Sequence, residues 1–447
     1  MKRRASLLFL LPLLATLACS LLNPPQGLTV PTPPSTGGQT IVQFQSTPLV
    51  NPEAATIPLI DPFVEELIGE VSRQNLSSYV VTLSDFGTRN TLSDPQGGDF
   101  GIGAARRWLH DEFVRVGGGR LQVSYDDFRL NYAGLTSEQR NVVAVLPGAG
   151  PHPGRILVVA HYDSRSVNPN DGRTLAPGAN DNGSGVAVLL ELARLMSPYQ
   201  WNQTIMFVAY AAEEQGTHGS KHFVQQAWLE GMQFDAVLNN DIVGGRPAIP
   251  QSVRVFGAPE DRSKSRQLAR YMLHVGNLYM PDFGVEPQLT LDRPDRFSDH
   301  REFVNLGVAA VRISESEEDM TVQHTSQDTA DRLDYDYLAQ VVRLNLAVVS
   351  NLAGGPAPPE APIVAKMANP GGYIITWNVE PGVAAYAISF RPVGAPAYGE
   401  LRYVSREDAG NVALTGIDAS QSYAVSLAGI DVRGRLGLFS PEVIVDP

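Results

Sequence analysis

Two histidines and several carboxylates carry the chemistry that this sequence can do. His161 stands directly after the apolar run 156–160, within His161-Tyr162-Asp163-Ser164. A lone histidine after a strand is more often structural than a ligand, but Asp163 is the right type to receive the second imidazole N–H of a metal-bound histidine. Asp181 lies in Gly178-Ala179-Asn180-Asp181-Asn182-Gly183-Ser184-Gly185, ahead of an apolar helix, where Asp181 or Asn182 could equally serve as a helix cap. Two adjacent acids, Glu213 and Glu214, follow the apolar run 204–212, and Asp241 follows 236–240. Paired acids against a buried strand are costly unless a cation or a proton neutralises them. A later loop carries His324-Thr325-Ser326-Gln327-Asp328-Thr329. Imidazoles and carboxylates together suit divalent cations of zinc type.

The elements that must position these groups are legible as alternating patterns. Short apolar runs at 141–146, 156–160, 204–212, 236–240, 253–257 and 308–313 read as strands. Helical spacing appears in Ile102, Ala105, Leu109, Phe113 and Val116, and in Val186, Leu189, Leu190 and Ala193. This alternation predicts an α/β fold with a mostly parallel sheet sandwiched by helices. In such sheets ligands bind outside the carboxyl ends of the strands, where His161, Glu213, Glu214 and Asp241 all fall.

A Pro- and Gly-rich break at 354–359 reads as a linker, and only strand-like segments follow. Residues 360–447 are predicted to form an all-β sandwich of immunoglobulin type. Ile375-Thr376-Trp377, Tyr386-Ala387-Ile388-Ser389-Phe390 and Tyr423-Ala424-Val425-Ser426-Leu427 resemble a fibronectin type III domain, with Trp377 in its core and Tyr423 at its corner. Such a module implies carbohydrate or protein as its partner. The break also predicts that residues 1–358 fold and act without it.

The N-terminus begins Met1-Lys2-Arg3-Arg4 and continues into an apolar run to Ala18, too short to span a bilayer. It predicts a signal peptide at 1–18 and an exported protein. Cys19, the one cysteine, stands at the cleavage and acylation point of a bacterial lipoprotein, although Thr16 occupies the place where such sites usually carry Leu. If acylated, Cys19 anchors the protein to a membrane by lipid, with 19–58 as a Pro- and Thr-rich disordered tether before a catalytic domain at 59–353. A single cysteine excludes an internal disulfide and a thiolate cluster. Lys and Arg total 34 against 47 Asp and Glu, a net charge of -13 that argues against nucleic acid as a partner.

In this order the residues resemble, over about 65–353, the co-catalytic zinc aminopeptidase and glutamate carboxypeptidase family, which includes glutaminyl cyclases. The resemblance implies two zinc ions bridged by Asp181. His161 and Asp241 complete one, Glu214 and His324 the other, with Glu213 as general base and peptides as substrates. Two metals roughly 3.5–4 Å apart can share a hydroxide and polarise the scissile carbonyl. Adjacent residues at a strand end project differently, so Glu214 can bind metal while Glu213 faces the water.

Three departures stand out. The His161–Asp181 interval is long, with an inserted loop around Asn168-Pro169-Asn170-Asp171-Gly172 expected at the pocket rim. Gln323 replaces the tyrosine that many relatives use as oxyanion donor. Ser298-Asp299-His300 resembles a family segment, with His300 read as structural or pocket-lining; the remaining histidines read as surface or core. Absence of an evident basic cluster favours an aminopeptidase over a carboxypeptidase, Arg293 and Arg296 being the residues that could reverse this. A glutaminyl cyclase would hold one zinc, and a binding protein on an inactive scaffold would hydrolyse nothing.

Overall fold

The computed structural model describes residues 57–447 except 368–371, 416 and 419. The expectations at 1–18 and Cys19 therefore lie outside the described residues, and so does the tether apart from 57–58. Among the described residues no helix is long and apolar enough to cross a membrane.

Helices α1 (Pro62–Gly69), α2 (Arg73–Asp85) and α3 (Gly101–Gly117) precede a hairpin of β1 (Gln122–Tyr132) and β2 (Leu135–Leu146). Then come β3 (Gly154–His161), α4 (Ser184–Met196), β4 (Thr204–Tyr210), α5 (His218–Leu229), β5 (Gln233–Asn240), β6 (Ser252–Phe256), α6 (Lys264–Tyr279), β7 (Gly284–Gln288), α7 (His300–Val304), β8 (Ala310–Glu315) and α8 (Tyr335–Gly354). The eight strands form one mixed sheet in the order β1-β2-β4-β3-β5-β8-β6-β7. Its centre, β4-β3-β5-β8, is parallel. Antiparallel pairings join β2 to β4 and β6 to β8 on either side.

Strand β3 shows why helices cover both faces. Its side chains alternate, so Ile156, Val158 and Ala160 enter one core with α4 and α8, while Leu157 and Val159 enter another with Phe223, Val224 and Phe303. The β1–β2 hairpin was not legible beyond its apolar end at 141–146, because its outer half faces water. Its two-residue turn places Ala133 and Gly134 at positive φ, 49° and 78°, the geometry that matches strand twist.

Beyond α8 the chain forms β9 (Ile363–Met367), β10 (Gly372–Thr376), β11 (Ala385–Pro392), β12 (Arg402–Ser405), β13 (Asn411–Thr415), β14 (Tyr423–Ile430) and β15 (Val443–Val445). They make antiparallel sheets ordered β13-β10-β9 and β12-β11-β14-β15. Tyr373, Ile375, Trp377, Tyr386, Ile388, Tyr423, Val425 and Leu427 fill the space between them.

The other face of the four-stranded sheet is docked, not free. Ala385, Ala387, Ala428, Ile430, Leu436 and Phe439 join the core of the preceding α/β unit. Tyr271 of α6 donates to the Leu436 carbonyl at 2.5 Å, and Asn351 of α8 accepts from Leu436 N at 3.0 Å. Buried Arg391 pairs with Glu442 at 2.8 Å and with Asp261 at 2.9 Å. The expectation that 1–358 stands alone does not fit this interface, since removing the β unit would uncover an apolar face and strand part of an ion network. A composition break reports a change of secondary structure and says nothing of how tightly the parts pack.

Candidate metal centre

The carboxyl ends of three neighbouring parallel strands meet at one place. β3 ends on His161, β5 ends one residue before Asp241, and β4 ends three residues before Glu213. Asp181 arrives on the turn before α4, and His324 on the loop between β8 and α8. The backbone bends sharply here. Ala212, Ile242 and His324 all have φ near +60°, which costs free energy and re-aims the adjoining side chains out of the strand direction.

Ligand-type atoms fall into two groups that share Asp181: His161, Asp181 and Asp241, then Asp181, Glu214 and His324, each with donor atoms within 4.8 Å of one another. The two oxygens of Asp181 face different imidazoles. Oδ1 lies 3.4 Å from His161 Nε2, and Oδ2 lies 3.1 Å from His324 Nε2. Asp241 Oδ1 is 3.4 Å from His161 Nε2, and Glu214 Oε2 is 3.3 Å from His324 Nε2.

Charge shows what this set fits. Asp181, Glu213, Glu214 and Asp241 crowd a site where the permanent cations touching them are Arg312, 3.1 Å from Asp241, and Arg165, 2.7 Å from Glu214. Burial alone would deprotonate His161, yet Glu213, Asp163, Asp181 and Asp241 outweigh it and hold its pKa well above the ordinary value. Burial likewise opposes a charged His324, but Asp181 and Glu214 raise it to about 9. Asp181, despite its burial, is held well below the carboxylate range by the two imidazoles. Protons on both histidines are thus what balances these carboxylates in the protein alone. Divalent cations would displace them and leave neutral imidazole and ionised carboxylate, the ligand forms. Glu214 Oε1, buried without a hydrogen-bond partner, is a further donor free for such a cation. The residues fit a pair of zinc ions.

Glu213 differs from its neighbour. Half-buried, desolvated, and beside Asp299, Asp241 and Glu214, its carboxyl has a pKa pushed well above the usual value even though His161 opposes the shift. Asp163 works on the backbone as well as on the imidazole. Its carboxylate accepts from Glu213 N at 3.1 Å, Glu214 N at 3.2 Å and Thr91 Oγ1 at 3.2 Å. His161 Nδ1 lies 3.1 Å from the Asp163 carbonyl and 3.6 Å from its carboxylate, so the imidazole N–H is oriented by the main chain of that residue.

Several supporting residues carried no sequence signal. Arg312 bridges Asp241 to Asp292, 2.7 Å away. Arg89, fully buried, donates to the carbonyls of Tyr162 at 2.7 Å and Gly178 at 2.8 Å, tying the His161 strand end to the Asp181 turn. Asp328 accepts from Asn180 N at 2.8 Å and Asp181 N at 3.0 Å. The two cap candidates divide their roles: Asn182 Oδ1 accepts from Gly185 N at 3.0 Å, while Asp181 faces the histidines. His300 is buried and bonds to the Leu291 carbonyl at 2.8 Å, outside both ligand groups. Burial, reinforced by Asp163 and Asp241, pushes Asp299 up to about 7. Gln323 donates to Asp181 Oδ2 at 2.7 Å.

A cavity of about 250 Å³ opens over the site, and none of residues 168–172 lines it. The inserted loop instead packs behind the rim, where the Pro169 carbonyl accepts from Gln215 at 3.4 Å and from Asn90 at 3.2 Å.

Residues 141–349 match the model of peptidase family M28. A probable zinc metalloprotease of Pyricularia oryzae is 34% identical, the alignment covering 81% of this chain and 82% of that protein. The chain belongs to peptidase family M28. It is a metallopeptidase, with the fold and the donor groups described above. Another relative, a probable zinc metalloprotease of Pyrenophora tritici-repentis, is 29% identical, the alignment covering 87% of this chain and 98% of that protein. Among solved structures, the LapA aminopeptidase of Legionella pneumophila superposes with a TM-score of 0.54 at 25% identity, covering 70% of this chain and 78% of that one. A glutaminyl cyclase of Porphyromonas gingivalis shares the fold, with a TM-score of 0.50 at 22% identity, covering 63% of this chain and 98% of that one.

Proposed function

We propose that this M28 peptidase is a zinc-dependent exopeptidase that removes N-terminal residues from peptides, with two zinc ions per chain. His161, Asp181 and Asp241 would hold one ion, and Asp181, Glu214 and His324 the other. The observation that carries this reading is Asp181, whose two oxygens face two different imidazoles. Likeness to the LapA aminopeptidase supports the amino-terminal preference. Bound zinc supplies Lewis-acid polarisation of the scissile carbonyl and activation of water.

The chain's own residues do the remaining work. Glu213, which lines the cavity beside the ligands without belonging to either group, takes the proton of the attacking water and returns it to the leaving amine. Asp163 fixes the peptide groups of Glu213 and Glu214 and so separates base from ligand. Gln323 offers an amide N–H beside Asp181, where the developing oxyanion would need a donor.

Metal analysis with aminoacyl-amide and dipeptide assays tests this reading. Two zinc equivalents and activity lost on chelation are expected. One equivalent in active protein would point to glutaminyl cyclase-like chemistry, and hydrolysis of nothing by zinc-loaded protein would point to a binding role. The two antiparallel sheets support a fibronectin type III-like module for carbohydrate or protein. Export, with anchoring through acylated Cys19, rests on the basic and apolar N-terminus. Cys19→Ser should release the protein from membranes into the soluble fraction.

A further inference from the structure

Four arginines line the cavity above the candidate metal centre: Arg165, Arg293, Arg296 and Arg301. They come from two stretches of chain far apart in sequence. Two of them are already neutralised away from the site. Arg293 pairs with Asp292 at 3.2 Å and with Glu318, and Arg301 pairs with Glu302 at 2.9 Å while lying over the Phe297 ring at 4.5 Å.

The other two have no such partner. Arg165 has Glu214 as its carboxylate, at 2.7 Å, and Glu214 is itself a donor in the second ligand group. Arg296 donates to Gln323 Oε1 at 2.8 Å and to Met320 Sδ at 3.4 Å, both uncharged. Gln323 in turn donates to Asp181 Oδ2, so the Arg296 guanidinium stands one side chain away from the bridging carboxylate. Asp295, the lining carboxylate outside the ligand and base set, forms no ion pair among the described residues. Once the donor carboxylates are committed to cations, the mouth keeps a local excess of positive charge in a protein whose net charge is -13. A guanidinium with unused donors, partly shielded from water, recognises carboxylate by paired hydrogen bonds and discriminates against a neutral analogue.

We propose that the site selects peptides bearing a carboxylate next to the scissile bond, held by Arg296 with Arg165. This rests on the exopeptidase reading above and adds the substrate class. Two sources of that carboxylate exist, the free C-terminus of a dipeptide and an acidic side chain on the residue after the cut.

The experiment compares three substrates with zinc-loaded full-length protein: leucyl-alanine, leucyl-alanine amide, and leucyl-glutamate with only its α-carboxyl amidated. At least one carboxylate-bearing substrate should exceed the neutral amide in kcat/KM by at least about tenfold, and which one does identifies the source. Arg296→Ala should collapse that ratio by about tenfold, chiefly through KM, with Arg296→Lys intermediate because a point charge remains without the planar fork. Equal rates on all three substrates, or a ratio unchanged in Arg296→Ala, would overturn the proposal. Arg296→Ala lowering kcat equally for charged and neutral substrates would also overturn it, by making Arg296 an oxyanion stabiliser. If zinc-loaded protein cleaves none of the three, the exopeptidase reading fails separately. Calorimetric titration with leucyl-alanine and its amide then decides: tighter binding of the acid, lost in Arg296→Ala, supports carboxylate recognition, and equal binding refutes it.

Discussion

Glu213 and Glu214 share a peptide bond yet face different surroundings. Glu214 lies 3.3 Å from His324, while Glu213 belongs to neither ligand group and is half-buried where desolvation and neighbouring carboxylates raise its pKa. A base must change protonation in the reaction and a ligand must not, so the two residues should respond differently to the same substitution. Glu213→Gln should keep both zinc equivalents and lower kcat by about a hundredfold or more, the scale of a lost general base. Glu214→Gln should lose zinc from one group. Equal loss of zinc in both variants, measured by metal analysis, would refute the division of roles. His161, Glu213, Glu214 and Asp241 stood out because their types follow apolar runs. Arg312 and Arg89 were not, since an arginine inside a strand or a loop has no pattern that distinguishes it from a surface residue.

At the scale of elements, the turn before α4 depends on a loop distant in sequence. Asp328, 147 residues from Asp181, accepts from the main-chain N–H groups of Asn180 and Asp181 and so sets where the Asp181 carboxylate points. In Asp328→Ala these two N–H groups lose their acceptor, each at a cost of about 1–3 kcal/mol if left unpaired. Denaturant unfolding should show that loss, and zinc affinity should fall by about 10–100-fold, as for outer-shell partners of metal ligands generally. Asp328→Asn retains one acceptor oxygen and should be milder on both counts. Undiminished zinc affinity in Asp328→Ala would show that the turn is held by its other anchors, Arg89 and Asn182. The sequence presented this loop through His324, but nothing in Gln327-Asp328-Thr329 indicated which side chain would fold back onto the turn.

The whole molecule behaves as one packed body across the α/β unit and the β unit. Because Ala385, Ala387, Ala428 and Ile430 pack into the core of the former, residues 1–358 alone should aggregate or melt well below the full chain. A soluble truncated protein with unchanged melting temperature would contradict that. His274 of α6 sits at the same boundary, lining a small cavity with Leu59, Tyr403 and Leu436. Burial there lowers its pKa from 6.5 to about 4. The folded state therefore resists a proton that the unfolded chain accepts, so this contribution is present above about pH 6.5 and is lost as pH falls toward 4. His274→Gln should show a shallower fall in melting temperature over that window than the unaltered protein, and parallel pH profiles would refute the assignment.

Sequence alone determined the α/β class, the strand-end location of His161, Glu213, Glu214 and Asp241 and the character of the last strands, because all three are local: a run of apolar residues, its period and the polar residue that ends it. It did not determine which oxygen of Asp181 meets which histidine, that Asp163 holds the peptide groups of Glu213 and Glu214, or that Asn182 accepts from Gly185 N while Asp181 faces the histidines. Nor did it reveal a basic cavity mouth. Arg293 and Arg296 stood out as possible carboxylate partners, but Arg165 stands far from them in sequence, and nothing local shows that it and Arg301 share their cavity. These features are distances between segments remote along the chain. They exist only once the sheet has brought its strand ends together and the loops have closed over them.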